Sequence, residues 1–340
     1  MRLACHFLIF KDQESGEIVM QTEQQELPIK PKAETLKAAP RPNVPKQKKK
    51  GKMKQNMVGW AFVGPIVLFV VAFIYYGIFY NAYNSFFSWD GISFDKVFVG
   101  FENYAEMFRD PDFYLSLKNT FIFTILTVTI QAFIGLVLAY FLHTQGPLRT
   151  AMKSVFFFPV VLSPVVLGAA FSQIYDFQFG YINEFLRAIG LGSLEQNWLG
   201  DPDIALYSVI AINIFQWTGS SMVMYYMAML TIEKEIFEAA KIDGAGFFRT
   251  LWSIVFPNLK GTTFTLSILG VIGGLKTFDL VWITTAGGPG SSTEFISTYL
   301  FRKSMLQQEV GFSSAVAIIL LTIALLITYF QLRVQKKMDN

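Results

Sequence analysis

Long apolar runs are the feature that most limits what this sequence can fold into. Six such runs are nearly free of charged side chains. They lie at about residues 58–80, 119–142, 154–175, 205–231, 261–284 and 311–332. A helix needs about 20 mainly apolar residues to cross a hydrocarbon core of about 30 Å. Each run reaches that length, so the pattern predicts an all-α membrane protein with six transmembrane helices.

Composition supports a membrane protein and excludes an ordinary soluble domain. Hydrophobic residues make up 53% of the 340 residues and charged residues only 16%, whereas soluble proteins carry about 25% charged residues. Cys5 is the single cysteine, so an intramolecular disulfide is excluded and the redox compartment stays open.

The first 57 residues differ from the rest of the chain. Residues 11–45 mix Glu, Gln, Lys and Pro without an apolar period, a composition typical of disorder. The segment KQKKKGKMK at 46–54 follows. It is typical either of a topological anchor or of a site for anionic lipid, and we favour the anchor. We therefore expect residues 1–57 to be a disordered cytoplasmic tail with a basic anchor.

Lysine and arginine are unevenly distributed between alternate connecting segments. If the amino terminus is inside, the basic segments all lie inside and the more acidic ones outside, as the positive-inside rule requires. The inner segments are 1–57, 143–153, 233–260 and 333–340, and the outer ones are 81–118, 176–203 and 285–309. The distribution predicts that both termini are cytoplasmic.

One inner segment, EAAKIDGAGFFRTLWSIVFP at 238–257, combines small residues with helical spacing. Its pattern predicts two short helices joined by a turn. The first is closed by Gly244 in a left-handed conformation, and the second runs from about Phe247 and ends before Pro257. Glu238 would present a charge to a basic partner. From the residues alone, a solvated loop with a helical kink is an equally good interpretation.

The same segment resembles the coupling-loop motif of bacterial ABC importer permeases. That motif is Glu-Ala-Ala, three residues, Gly, nine residues, Ile, one residue and then Leu-Pro. The matching positions here are Glu238, Ala239, Ala240, Gly244, Ile254 and Pro257. Phe256 stands where leucine is usual, which is a mild departure from a long and specific pattern.

Other segments resemble the carbohydrate-uptake branch of that family, and within it the maltose-type first permease subunits. They are FENYAEMFRDPDF at 101–113, GYINEFLRAIGL at 180–191, NWLGDPDIA at 197–205 and TTAGGPGSST at 284–293. The similarity covers about residues 57–332.

The resemblance implies a type I ABC importer permease fold in a bacterial cytoplasmic membrane, with a coupling loop at 233–260. A permease of this family pairs with a second homologous permease, rests on two ATPase subunits and receives its sugar from an extracytoplasmic binding protein. ATP and Mg are then used by the ATPase subunits, and this chain is expected to bind no cofactor. By the same resemblance, the six motif residues contact the ATPase.

Polar residues inside the fourth run are candidates for a substrate path, because such residues are costly in a membrane unless they face protein or water. Asn213, Gln216, Trp217 and Ser220 share one face of a helix. Amides and an aromatic plane suit the hydroxyls and the ring face of a sugar. Contacts between helices explain the same residues equally well.

Two charged residues interrupt the fifth run. Lys276 and Asp279 lie three residues apart, so the spacing allows them to pair on one helix. A structural ion pair near the outer mouth is the interpretation we favour slightly over a place in the sugar path.

Catalysis by this chain is not expected. The sequence contains no HExxH and no GxxxxGK[ST] motif, and its histidines are His6 and His143, so no metal or nucleophile constellation emerges. Membrane lipid and the transport proteins, and not nucleic acid, are the expected partners. Two other functions stay open: a self-sufficient secondary transporter, and an importer of the same architecture for glycerol-phosphate or another polyol.

Overall fold

The computed structural model describes residues 10–11, 18–19, 60–144 and 149–338. Two compact units, Met1–Phe62 and Val63–Asn340, divide the chain. In the first unit, β1 (Phe10–Lys11) pairs antiparallel with β2 (Ile18–Val19). The predicted basic anchor and most of the predicted disordered tail lie outside the described residues, so those predictions stay predictions.

The described part of the second unit is mostly helical. A short hairpin joins β3 (Phe87–Ser88) to β4 (Val97–Phe98). The helices are α1 (Trp60–Asn84, which starts in the first unit), α2 (Glu102–Met107), α3 (Pro111–Thr144), α4 (Arg149–Val161), α5 (Pro164–Ile174), α6 (Tyr181–Ala188), α7 (Ala205–Met229), α8 (Lys234–Ile242), α9 (Phe247–Asn258), α10 (Lys260–Lys276), α11 (Asp279–Thr284), α12 (Ile296–Phe301) and α13 (Val310–Met338).

The described helices account for most of the predicted spans. Among the described residues, α1, α3 and α13 are each long and apolar enough to cross a membrane, and two bent pairs raise the total to five if each pair is one span. The fourth predicted span is α7, which has 25 residues and a length of about 37 Å. Its polar side chains lower its mean hydropathy, so it is not among the helices counted above. A mostly helical membrane fold is confirmed, whereas the count of six spans stays a prediction.

The third predicted span is broken in the middle. Helices α4 and α5 meet at an angle of 96°. Ser163 caps the second helix by accepting a hydrogen bond from the Val165 N–H at 3.3 Å, and Pro164 takes its first position. Proline suits that position because it has no N–H to leave unpaired. The predicted span over 154–175 is therefore a broken one if α4 and α5 cross the membrane together.

The fifth predicted span is also divided, and this corrects the expectation that Lys276 and Asp279 pair on one helix. Thr277 is extended, so Lys276 ends α10 and Asp279 begins α11. No ion pair joins the two side chains in the described structure. Each charge instead lies at a helix end of opposite partial charge, a cation at a carboxyl end and an anion at an amino end.

The helix after the inner turn runs further than expected. It was predicted to end before Pro257, but α9 continues to Asn258. A π-helical turn over Leu251–Val255 ends two residues before the proline. Such a turn changes the backbone pairing at the point where a proline ring would otherwise clash with the carbonyl four residues earlier.

The core of the second unit is built around α7. One apolar cluster joins α7 to α3 and α9 through Tyr140, Tyr225 and Leu251, and another joins it to α5 and α11 through Val209 and Leu280, among others. Helix α4 approaches α7 so closely at Gly219 that a Cβ there would overlap the backbone of Phe156. Glycine is required at this crossing because only it lets the two backbones meet.

Candidate functional site

A cavity of about 370 Å³ opens between α7, α10 and the start of α11. All six residues predicted for a substrate path line it, which are Asn213, Gln216, Trp217, Ser220, Lys276 and Asp279. The structure thus brings together two groups of residues that the sequence analysis considered separately. Their contact with a substrate stays a prediction.

The cavity wall also contains polar residues that the sequence analysis missed. Thr127 and Gln131 line it from α3, and Ser221 and Thr277 line it from the other side. A signal for the first pair was present, because Thr120, Thr124, Thr127 and Gln131 follow one another at helical spacing inside the second apolar run.

Asn213 is used in a contact between helices. The Gln131 side-chain amide donates to the Asn213 Oδ1 at 2.9 Å and to the Asn213 carbonyl oxygen at 3.1 Å. These bonds join α3 to α7 at the cavity wall. The helix-contact interpretation of this residue is therefore supported, although its side chain still lines the cavity.

Gln216 has a donor that is used and an acceptor that is not. Its Nε2 donates to the Leu162 carbonyl oxygen at 2.9 Å, next to the break between α4 and α5. Its side chain is 1% exposed, and its Oε1 has no hydrogen-bond partner within the described part of the chain. A buried acceptor without a partner costs about 1–3 kcal/mol, so a donor that reached this oxygen would be stabilising.

The remaining lining residues offer an aromatic surface and two opposite charges. Trp217 is 41% exposed, and Phe278 lies in the wall where α10 and α11 separate. Lys276 and Asp279 are the charged residues among those that line the cavity, and both are exposed. The wall therefore has no excess of either charge.

The predicted coupling motif forms a closed helical turn. In α8 the Ala245 N–H donates to the Ala240 carbonyl at 2.9 Å, and the Gly244 N–H donates to the Lys241 carbonyl at 3.1 Å. These two bonds, with Gly244 at a φ of +70°, are the Schellman arrangement that ends a helix. The prediction that Gly244 closes the first helix in a left-handed conformation is confirmed.

The motif residues divide between solvent and core. Glu238, Ala239, Gly244 and Pro257 are exposed, Ile254 is half-buried and Ala240 is buried. The exposed members are thus accessible within the described structure, and the buried alanine fixes α8 on the protein. Their contact with an ATPase stays a prediction.

Aromatic side chains hold this motif against the long helices. Phe237 of α8 lies 5.0 Å from the His143 ring at the end of α3, and Phe247 of α9 lies 4.6 Å from the Tyr140 ring, both between ring centroids. Both phenylalanines pack against the apolar cluster around α7. Helices α8 and α9 are therefore attached to α3 and α7, both of which contribute residues to the cavity wall.

The connection between α11 and α12, which was predicted to lie outside, is joined to the rest of the protein by hydrogen bonds. The Asn119 amide donates to the carbonyl oxygens of Ser292 and Glu294, at 2.9 and 3.2 Å. The Ser297 hydroxyl donates to the Thr277 carbonyl at 2.5 Å. Outer segment and cavity wall are thus joined directly.

Glu294 and Arg302 form an ion pair in this outer segment that the sequence analysis missed. The Glu294 side chain is 1% exposed and that of Arg302 is 30% exposed. Burial raises the pKa of Glu294, and a hydrogen bond from Thr298 and the charge of Arg302 oppose the shift. The arginine thus offsets part of the unfavourable effect of burial on the charged form of Glu294.

Comparison with known proteins identifies relatives for most of the chain. Residues 115–340 match the model of the family described as binding-protein-dependent transport system inner membrane component. A probable ABC transporter permease protein YurN of Bacillus subtilis is 34% identical over 82% of this chain and 96% of its own. The multiple sugar-binding transport system permease protein MsmF of Streptococcus mutans is 29% identical over 83% and 96%. The trehalose/maltose transport system permease protein MalF of Thermococcus litoralis is 26% identical over 83% and 95%.

Solved structures share the fold. A chain of a bacterial ABC transporter involved in the import of the acidic polysaccharide alginate superposes with a TM-score of 0.75 at 20% identity, covering 86% of this chain and 99% of its own. A second structure of a bacterial alginate transporter, in complex with an alginate pentasaccharide-bound periplasmic protein, gives a TM-score of 0.73. At this identity the likeness concerns the fold alone.

Proposed function

Because the chain belongs to the family of binding-protein-dependent transport system inner membrane components, we propose that it is the transmembrane permease subunit of an ATP-driven bacterial importer for a sugar or oligosaccharide. The observation that carries this proposal is the polar cavity, which combines amides, hydroxyls and an aromatic surface. Amides and hydroxyls exchange hydrogen bonds with sugar hydroxyls, and an aromatic plane packs against a sugar ring. The relatives named for trehalose, maltose and multiple sugars support the same class.

The substrate that fits this cavity best is a neutral sugar. Lys276 and Asp279 balance each other in charge, and a hydroxyl donor is needed by the buried Oε1 of Gln216. Glycerol-phosphate, the alternative substrate, would call for further cations, because a phosphate is bound most strongly by several charged donors. The described cavity wall supplies Lys276 alone.

The partners follow from the family. A second homologous permease completes the path across the bacterial cytoplasmic membrane, an extracytoplasmic binding protein delivers the sugar, and two ATPase subunits hydrolyse ATP with Mg on the inner side. This chain itself binds no cofactor and catalyses no reaction. Both of its termini are cytoplasmic, which places the coupling motif on the side of the ATPase.

The coupling motif is suited to transmit movement. A short helix closed by a Schellman turn is stiff, and Phe237 and Phe247 attach it to the helices that form the cavity. When ATP binding brings the ATPase subunits together, α8 moves with the ATPase subunit that it contacts. Helices α3 and α7 then move with α8. ATP thereby favours one of two states in which the cavity opens to opposite sides.

The coupling motif provides the test of this proposal. Glu238→Lys reverses the exposed charge, and Gly244→Asp places a side chain where φ is +70° and where the partner is expected to approach closely. Both variants should reach the membrane in normal amounts, lose most sugar uptake and lose co-purification of the ATPase subunits.

A matched control is Glu235→Lys, which makes the same charge reversal at another exposed position of α8. It lies outside the motif and should keep both uptake and ATPase binding. Normal uptake together with normal ATPase recovery in the Glu238 and Gly244 variants would overturn the proposal. Active uptake by the purified chain without any ATPase would instead favour a secondary transporter.

A further inference from the structure

Helix α6, which lies in an outer connection, exposes an apolar stripe. Tyr181 is 70% exposed, Phe185 63% and Ile189 51%. The three positions are four residues apart, so they lie on one face of the helix and of the residue that follows it. Exposed aromatic rings in such a row are uncommon on a surface that faces only water.

The opposite face of α6 is fixed to the protein. Asn183 is fully buried, and its amide donates to the carbonyl oxygens of Phe177 and Gln196, at 3.1 and 3.0 Å. Its Oδ1 accepts from the Trp198 indole N–H at 2.9 Å. Ile182 packs against the neighbouring apolar cluster. The helix is therefore held in one rotation, and its exposed stripe is a consequence of that rotation.

The third face of α6 is charged. Glu184 is exposed there. The Arg187 Nε lies 3.1 Å from the Glu195 Oε1, and an Arg187 Nη donates to the Gln178 carbonyl at 3.0 Å. The helix thus presents one face to protein, one charged face and one apolar face, which is the arrangement expected of a helix at a boundary between water and lipid.

The position of α6 along the chain agrees with that boundary. It follows α5, whose own exposed surface is apolar at Val165 and Val166. The connection between them adds Phe177, 49% exposed, and Phe179, 83% exposed. Exposed apolar side chains therefore occur on α5, in the connection and on α6, with the exposed polar residues Gln173, Asp176 and Gln178 between them.

We propose that α6 lies in the interfacial layer of the outer leaflet, with Tyr181, Phe185 and Ile189 in contact with lipid and with Glu184 and Arg187 directed to water. Aromatic side chains are enriched at this depth of a bilayer because one end of the ring system is apolar and the other tolerates water. The contact fixes the depth of the outer end of the bent third span, whose break borders the cavity. It is independent of which solute is carried.

Spin-label accessibility tests this placement in the full chain, purified with the subunits that accompany it and reconstituted in phosphatidylcholine vesicles. Cys5→Ser removes the single native thiol, and Phe185→Cys is then labelled on the stripe. Glu184→Cys is the matched control on the neighbouring charged face. Collision with oxygen, which dissolves in lipid, is compared with collision with a water-soluble nickel chelate.

We expect the label at 185 to collide several-fold more with oxygen and several-fold less with the nickel chelate than the label at 184. Ile189→Cys repeats the measurement on the same stripe if the first variant does not assemble. Strong collision with nickel at both stripe positions would mean that the stripe faces water. Weak collision with both reagents would mean that another protein covers it, and either result would overturn the proposal.

Discussion

The side-chain amide of Gln216 contacts the break between α4 and α5 through its nitrogen and leaves its oxygen unpaired beside the cavity. Its Nε2 satisfies the Leu162 carbonyl, which the break between α4 and α5 leaves without a helical partner, while its Oε1 stays unpaired. The residue thus both stabilises the bent span and prepares a hydrogen-bond acceptor. A side chain without an amide at position 216 would fill neither role.

A substitution that removes both ends of this amide should affect stability and transport together. Gln216→Leu keeps the volume but leaves the Leu162 carbonyl buried without a donor, which costs about 1–3 kcal/mol. We expect earlier thermal unfolding of the detergent-solubilised protein and weaker sugar uptake. Ser220→Ala is the control, because the described structure shows no hydrogen bond to that hydroxyl; it should weaken uptake alone. Unchanged unfolding in the Gln216 variant would contradict the assignment of its hydrogen bond.

The two arginine ion pairs of the outer segments should differ greatly in their effect on stability. Arg302→Ala leaves Glu294 buried without its counter-charge, and breaking a buried pair in this way costs about 3–5 kcal/mol. Arg187→Ala breaks a pair whose members are 46% and 23% exposed, for which about 0–1 kcal/mol is expected. Thermal unfolding of both variants measures the difference. Equal shifts would show that Arg302 is not needed to hold the buried carboxylate.

Among the elements, the long apolar helices were predictable and the broken ones were not. Helices α1, α3 and α13 cover the first, second and last apolar runs, because hydropathy over 20 residues reports burial in lipid directly. The break at Ser163 has a local signal in its serine cap and Pro164. The donor to the Leu162 carbonyl, however, comes from the distant Gln216, and the donor to the Thr277 carbonyl comes from the distant Ser297. Hydropathy summed over a window of neighbouring residues does not report such contacts between distant residues.

The candidate site shows the same division. The polar face of α7 was visible in the sequence because helical periodicity places its members together. The distance between α7 and the Lys276 region was not, since it depends on how three helices pack. The turn at Gly244 was predictable because its chemistry is local, a helix closed by a left-handed glycine; the coupling role rests on the resemblance and stays a prediction.

Two adjacent glycines of α10 give a direct test of helix packing at this scale. A Cβ at Gly274 would overlap the side chain of Thr124 on α3, whereas a Cβ at Gly273 would meet nothing within 4 Å. Gly274→Ala should therefore cost about 1–3 kcal/mol through overpacking, and Gly273→Ala should be neutral or stabilising by up to about 1 kcal/mol. Thermal unfolding and membrane yield measure both. Similar losses for the two variants would contradict the described packing of α10 on α3.

At the scale of the whole molecule, helices α3 and α7 connect the cavity to the coupling motif. Asn213 and Gln131 join α7 to α3 at the cavity, and Tyr225 and Tyr140 belong to the apolar cluster that holds the inner helices. The part of α7 from Asn213 to Met229 is about 24 Å long. Helices α3 and α7 therefore connect the cavity wall to α8 and α9 without a break in either helix.

The direction in which this pair crosses the membrane is the last feature on which the function depends. The positive-inside rule places Cys5 and the coupling motif in the cytoplasm and the connection at 176–203 outside. In intact cells, an impermeant maleimide should therefore not react with Cys5. In a Cys5→Ser background it should react with Ser193→Cys, which is exposed in the outer connection, and not with Lys241→Cys on α8. Permeabilising the membrane should make Cys5 and Lys241→Cys reactive, which separates protection by the membrane from burial. Labelling of Lys241→Cys in sealed cells would show that the orientation is the reverse of the predicted one. The surface proposed to bind a cytoplasmic ATPase would then lie outside the cell.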